Sequence, residues 1–169
     1  KMENDFLQNQ NIILNELVPL YEKSGISEKP DIWVLSGAMN ITTKILELVE
    51  NCKNEVMITL PEVGIDLVKQ ALPKLRALHD KGVKITILTS DKIDKESITS
   101  IKRVAEIKIK KGLFGGGIIS DKRYVVILLG PEVAGENSSE VIAIWADHIG
   151  LAGFARQYFE YLLKDSKKT

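Results

Sequence analysis

From residue 31 onward the sequence alternates short apolar runs with segments of helical periodicity, and this alternation most constrains the fold. Residues 32–35, 56–60 and 83–88 have the length and composition of strands, and we expect the first to be buried. The intervening segments repeat apolar residues on one helical face: Ile41, Ile45, Leu48 and Val49, then Leu67, Ala71, Leu75 and Leu78. This order predicts parallel strands joined by right-handed crossovers.

The second half of the chain is richer in strand patterns. Residues 106–110 alternate apolar and charged side chains, and their lysines favour an edge strand. The remaining elements are a short helix and three further strands, predicted at residues 97–103, 113–119, 124–129 and 141–145. The sequence therefore predicts a single α/β domain with helices flanking the sheet.

A last helix is predicted at residues 149–163, and it holds four of the ten aromatic residues of the chain. Its inner face is expected to present Leu151, Ala155, Tyr158 and Leu162. Such a concentration of aromatic side chains indicates packing against the sheet or against a second subunit.

The segment before residue 30 has helical spacing of its own. Its apolar positions include Phe6, Ile13, Leu17 and Leu20, which predicts an amphipathic helix. That helix packs on its own domain, packs on a partner, or is part of a longer helix.

Charge and composition exclude several classes of protein. The 23 basic residues balance 23 acidic residues, so the chain lacks the broad basic surface of a DNA-binding domain. No apolar run reaches the ~18 residues of a membrane span, and no signal peptide pattern opens the chain. We expect a cytoplasmic protein without a disulfide framework, because Cys52 is its only cysteine.

Few residues are suited to catalysis. His79 continues an apolar helical face and is expected to be a partly buried structural residue. Asp147 and His148 stand at the junction of the last strand and the last helix, where a polar pair that starts the helix explains both. The alternative is a small-molecule enzyme that uses this pair, or Glu62, as acid or base. No metal-ligand spacing or phosphate-binding loop occurs in the sequence, so no metal or cofactor is expected.

Three consecutive glycines, residues 115–117, interrupt a strand pattern. Glycine weakens a strand, so this run indicates either a bulge or a close approach to the backbone.

The order of these features resembles a known family. The resemblance is found in residues 32–37, 47–52, 55–61, 81–85 and 120–123, and in Ala143-Ile144-Trp145 before the aromatic helix. Together they are similar to the C-terminal effector domain of archaeal TrmB-like transcriptional regulators, and this resemblance implies an α/β fold like that of phospholipase D, a mixed sheet flanked by helices. The resemblance covers about residues 30–163.

This resemblance implies an organisation for the whole chain. Residues 1–29 would be a helical linker that dimerises through Phe6, Ile13, Leu17 and Leu20, and residues 30–169 the phospholipase D-like effector-binding domain. The DNA-binding winged helix-turn-helix of the family would be a separate N-terminal module that this chain lacks. The implied partners are a second copy of the chain and a small-molecule effector.

The phospholipase D comparison also makes a prediction about catalysis. Active members carry His-x-Lys-x-x-x-x-Asp, in which the histidine attacks phosphorus and the lysine holds the phosphate oxygens. Alignment on Asp121 puts Gly116 at the lysine position and Phe114 at the histidine position. We therefore expect no phosphodiesterase activity, and we expect Asp121 to be an ordinary turn residue.

A ligand site is expected where the parallel strands end. The candidate residues are Ser36, Gly37, Thr59, Pro61, Glu62, Thr89 and Ser90, with Gly116 at the border. Hydroxyl groups and one carboxylate suit a neutral polar ligand, and the family's association with sugars agrees. Serine and threonine at strand ends are also common helix caps, and a purely structural dimerisation module is the remaining alternative. A polar concave pocket at the strand ends would favour sensing.

Overall fold

The computed structural model describes residues 31–61, 64–113, 115–129 and 141–168 of the chain. These residues belong to a compact unit that begins at Asp31. The strands are β1 (Asp31–Ser36), β2 (Glu55–Leu60), β3 (Lys84–Thr89), β4 (Glu106–Ile109), β5 (Gly116–Ser120), β6 (Tyr124–Leu128), β7 (Ile142–Asp147) and β8 (Lys167–Lys168). The helices are α1 (Ala38–Asn51), α2 (Ile65–Asp80), α3 (Lys95–Lys102) and α4 (Ile149–Lys164). The expected N-terminal helix with Phe6, Ile13, Leu17 and Leu20 lies outside the described residues.

The strands form one mixed sheet in the order β1-β7-β6-β5-β2-β3-β4-β8. Only β2 with β3 and β3 with β4 pair in parallel, and the other neighbours are antiparallel. The prediction of a mixed sheet flanked by helices is confirmed. The expectation that β1 pairs in parallel within the first three strands is wrong, because β5, β6 and β7 lie between β1 and β2.

The first strand is an edge strand, so the expectation of a buried strand is wrong. Ile32, Trp33 and Val34 are 49%, 48% and 67% exposed. An apolar run of this kind is typical of a strand covered on both faces, but among the described strands β1 pairs only with β7.

The opposite end of the sheet also differs from the prediction. β4 was expected at the edge, but the two residues of β8 pair with Lys108 and Ile109. A strand of two lysines carries no periodic signal, so the sequence could not indicate it.

Two apolar layers hold helices on the two faces of the sheet. The first contains the predicted face of α1 and most of that of α2, with Ile41, Leu48, Val49, Ala71, Leu75 and Leu78 buried and Ile45 packed against them. At the start of α2, Val68 is buried in this layer and Leu67 is only half-buried. The second joins α4 to strands β2, β3, β5, β6 and β7. None of the described helices has the length and apolarity needed to cross a membrane.

The last helix keeps most of its predicted inner face. Leu162 is buried in the second layer together with Ala152 and Phe159, and Leu151 and Ala155 pack against that layer. Tyr158 is 53% exposed, so the expectation that Tyr158 faces inward is wrong.

Candidate functional site

The predicted residues lie where the parallel strands end, on the same side of the sheet, but they do not form one cluster. β1, β2 and β3 run in the same direction, so Ser36, Thr59 and Thr89 stand near the same edge. Three strands separate β1 from β2, which puts Ser36 and Gly37 about 19 Å from Thr59 at the usual strand spacing. Glu62 lies outside the described residues.

Two of the predicted hydroxyl groups bond to their own chain. Thr89 is fully buried, and its Oγ1 donates to the Leu60 carbonyl at 3.2 Å. Ser90 is also buried, and its Oγ accepts from the Lys92 amide at 3.4 Å. Neither residue caps a helix, because Asp94 is the N-cap of α3. These hydroxyls tie β3 to its surroundings.

Gly116 does border Pro61, and the contact is close. A Cβ atom at Gly116 would lie 2.5 Å from Cδ of Pro61, and one at Gly117 would lie 2.4 Å from the Val126 carbonyl oxygen. Gly115 adopts a positive φ of 76°. The glycine run therefore allows close approach by the chain's own backbone and by Pro61, the second of the two sequence interpretations.

Asp121 stands at the other end of β5 from Gly116, about 16 Å along the strand. Its carboxylate accepts hydrogen bonds from the backbone amides of Lys53, Asn54 and Glu55 at 2.9, 2.7 and 3.1 Å. Burial alone would raise the pKa of Asp121, but these donors outweigh it and hold the pKa below its ordinary value. Asp121 therefore holds the start of β2 in place through these hydrogen bonds, in addition to its expected position in a turn.

Cys52 lies in the same corner. Its Sγ contacts the Glu55 carbonyl at 3.2 Å and Asp121 Oδ1 at 3.4 Å. Burial raises the pKa of the Cys52 thiol, and the negative charge of Asp121 adds to the increase. A protonated thiol is a poor nucleophile.

Asp147 and His148 also serve the fold. Arg123 Nε donates to Asp147 Oδ1 at 2.6 Å, and His148 Nδ1 accepts from the Leu151 amide at 2.9 Å as the N-cap of α4. The predicted helix start is confirmed for His148, whereas Asp147 ends β7 and pairs with Arg123 instead. His79, by contrast, is exposed on α2, so the expectation of a partly buried histidine is wrong.

A groove of 420 Å³ lies between β1, β7 and α1. Its lining combines two tryptophans with polar side chains: Trp33, Leu35, Asn40, Thr43, Lys44, Glu47 and Trp145. Trp33 and Trp145 are direct partners in the β1–β7 register, and their rings stack with centroids 4.2 Å apart. Strand pairing thus builds an aromatic floor.

The polar wall of this groove comes from successive turns of α1. Lys44 Nζ lies 4.0 Å from the centre of the Trp145 ring and 3.4 Å from both carboxylate oxygens of Glu47. Asn40 donates to the Ser36 carbonyl at 2.9 Å. The groove therefore begins beside the predicted residues Ser36 and Gly37.

Trp145 carries an unused hydrogen-bond donor. Among the described side chains, its Nε1 is a buried nitrogen without a partner, which is costly in a folded protein. An exposed aromatic ring with amide, hydroxyl and charged groups around it suits a ligand with an apolar face and a polar rim. Sequence reasoning missed this groove, although the chain's two tryptophans both fall in strand patterns.

A second groove of 420 Å³ lies where β3 and β4 begin, at the opposite edge of the sheet. The charged side chains in its lining are those of Lys84, Lys102, Arg103 and Glu106, and His79 lies beside them. Its basic side chains suit an anion, whereas the first groove suits a largely uncharged ligand. The described residues contain no cluster of three or more potential metal ligands.

Comparisons with known proteins place this geometry in a family. The family model described as transcriptional regulator TrmB, effector-binding domain (EBD) N-terminal subdomain, matches residues 31–167. The structure is similar to TrmBL2, an archaeal chromatin protein with a novel mode of DNA binding, with a TM-score of 0.63 and 19% identity. The match covers 99% of this chain and 66% of that chain, so the chain spans just under two thirds of TrmBL2.

Two further solved structures have a similar fold. NucT from Helicobacter pylori matches with a TM-score of 0.67 and 12% identity, over 83% of this chain and 100% of that one. Nuc from Salmonella typhimurium, a phospholipase D family member, matches at 0.63 and 12%, over 83% and 99%. At this identity the likeness concerns the fold alone. No curated protein matches the chain by sequence.

Proposed function

The chain belongs to the TrmB family of transcriptional regulators, and from this premise we propose that it senses a small-molecule effector and has no catalytic activity. The groove floored by Trp33 and Trp145 is the observation that carries the proposal. It is concave, and its walls combine the two tryptophan rings with amide, hydroxyl and charged side chains of α1. These are the general properties of a small-molecule site.

The effector class follows from the chemistry of the lining. A sugar or another polyol presents an apolar ring face that packs on an aromatic side chain, and its hydroxyls both donate and accept. Asn40, Thr43 and Glu47 supply matching groups along α1. The strand-end residues Ser36 and Gly37 border this groove, whereas Thr59, Pro61, Thr89, Ser90 and Gly116 remain a separate candidate surface.

The absence of catalysis is supported by the residues that replace the phospholipase D motif. Gly116 stands at the lysine position, Phe114 at the histidine position, and Asp121 is engaged with three backbone amides. The alternative acid–base pair, Asp147 and His148, is occupied by an ion pair and a helix cap. Hydrolysis of bis(p-nitrophenyl) phosphate by the purified chain would refute this part of the proposal.

The partners of the domain complete the proposal. Residues 1–29 act as a dimerising linker through Phe6, Ile13, Leu17 and Leu20, and residues 30–169 bind the effector. DNA is bound by a separate N-terminal module. Since 23 basic and 23 acidic residues balance, we expect this chain alone to give no salt-dependent shift of a DNA fragment in a mobility assay.

Ligand binding is tested by titration with a panel of neutral sugars. The chain has two tryptophans, and both line the groove, so their fluorescence reports occupancy directly. A ligand that binds the native state also raises the melting temperature. We expect at least one neutral sugar to change both signals.

A matched pair of variants assigns the signal to the groove. Thr43 and Thr99 are both exposed, and each donates its hydroxyl to the carbonyl four residues earlier. Only Thr43 lines the groove. Thr43→Val should weaken sugar binding, and Thr99→Val should leave it unchanged. Equal effects, or no response to any sugar in the panel, would refute the site.

A further inference from the structure

Strand β1 has an open backbone edge. The hydrogen bond from Gly37 N to Val141 O, 2.9 Å long, fixes the alternation of the antiparallel pair. Trp33 and Leu35 therefore turn their backbone groups toward β7. Ile32 and Val34 turn theirs outward, where no hydrogen bond from a described residue meets them.

The described residues give this edge little of the usual protection against pairing, since Asp31 is its one charged residue. Its sequence, DIWVLS, contains no lysine or proline. The side chains of Ile32, Trp33 and Val34 are each about half exposed or more. The other end of the sheet closes with the two lysines of β8. Soluble proteins normally block an apolar edge strand, because an open one pairs with another chain.

We propose that β1 pairs with β1 of a second copy of this chain, antiparallel about a twofold axis at Trp33. In this register Ile32 faces Val34 of the second copy, and Val34 faces Ile32 of the second copy. Both residues direct their N–H and C=O groups outward, so the two pairs form four backbone hydrogen bonds. Ser36 adds none through its carbonyl, which already accepts from Asn40.

The side chains fit the same register. Trp33 lies directly opposite Trp33 of the second copy, in a cross-strand pair without backbone hydrogen bonds. Side chains approach most closely in pairs of this kind. The Trp33–Trp145 stack thereby extends to four rings, on the side of the sheet that carries the groove. On the other side, Ile32 packs beside Val34 of the second copy as a β-branched pair.

A second copy is favoured over other occupants by this self-complementarity. The strand carries one charge, Asp31, and the twofold places it opposite Leu35, so no like charges meet. The inference goes beyond the proposed function, because it adds a contact between the sheets to the dimer proposed through residues 1–29 and needs no ligand; crosslinking at Trp33 reports this contact alone. Because Trp33 and Leu35 also line the groove, the interface and the groove share one strand.

Disulfide crosslinking tests the register. The Trp33 positions of the two copies would lie within the Cα separation that a disulfide spans. In the full chain, Trp33→Cys should form a covalent dimer under mild oxidation, whereas Phe154→Cys, on the exposed face of α4, should not. The native Cys52 is buried and serves as an internal blank in both variants. A Trp33→Cys chain that crosslinks no more than Phe154→Cys overturns the proposal.

A charge on the edge provides the second measurement. Val34→Lys should raise the dimer dissociation constant by about tenfold or more, while Phe154→Lys should leave it unchanged in sedimentation experiments. Far-ultraviolet circular dichroism checks that both variants fold. A wild-type chain that is monomeric at high micromolar concentration overturns the proposal, and so does a dimer that only Phe154→Lys weakens.

Discussion

Trp33 stacks on Trp145 at 4.2 Å, although the two residues have unequal surroundings. Trp145 packs against the buried cluster under α1 and α2, whereas Trp33 is 48% exposed on the edge strand. One ring therefore anchors the sheet, and the other presents a face to the groove.

This difference in burial predicts that truncation of the two tryptophans lowers the free energy of unfolding by different amounts. Trp145→Ala should lower the free energy of unfolding by about 3 kcal/mol, because it empties a site in the packed layer. Trp33→Ala should lower it by about 1 kcal/mol, since much of that side chain is already in water. Urea denaturation followed by circular dichroism measures both values. Equal losses would mean that Trp33 is buried in the folded chain.

Asp121 is predicted to stabilise the start of β2 rather than to take part in chemistry. Asp121→Asn keeps a residue that tolerates the positive φ of 55° but loses the charged acceptor of three amides. We expect it to lower the free energy of unfolding by about 1–2 kcal/mol. Asp121→Ala should cost more, because alanine adds backbone strain.

The control for this series is Asp91→Asn, which changes an exposed aspartate in the turn after β3. It should leave urea stability unchanged. A neutral outcome for Asp121→Asn as well would show that the amides of Lys53, Asn54 and Glu55 do not depend on the carboxylate.

Much of the local structure could be predicted because it depends on neighbours in sequence. The buried faces of α1 and α2 follow from apolar spacing, and the connection from Ser120 to Arg123 from its length. Gly82 ends α2 with a φ of 85°, a conformation that glycine adopts without strain.

The errors in the sheet concern relations between distant parts of the chain. Ile32, Trp33 and Val34 are apolar whether β1 is central or at the edge, so composition could not place it. The groove arises because β7 pairs with β1 and brings Trp145 beside Trp33. No local pattern encodes that register, and the same holds for β8 beside β4.

The lowered pKa of Asp121 predicts how stability depends on pH. The carboxyl has a pKa of about 3.9 in an unfolded chain and a lower one in the folded chain. Its stabilising contribution is therefore complete above the unfolded value, and it is lost as pH falls through the folded value. The stability difference between wild type and Asp121→Asn should be constant near neutrality and should shrink below about pH 4. Urea denaturation of both proteins across this range measures it, and a difference that grows on acidification would contradict the lowered pKa.

The glycine run predicts a large effect from one methyl group. A Cβ at Gly117 would lie 2.4 Å from the carbonyl oxygen of Val126, a backbone atom that cannot rotate away. Gly117→Ala must therefore separate β5 from β6, and it should lower the free energy of unfolding by about 3 kcal/mol. Gly153, in α4, has nothing within 4 Å of the same position, so Gly153→Ala should raise stability by about 0.5–1 kcal/mol through helix propensity. Thermal and urea unfolding of the pair should shift in opposite directions, and a tolerated Gly117→Ala would show that the close approach between β5 and β6 is not required.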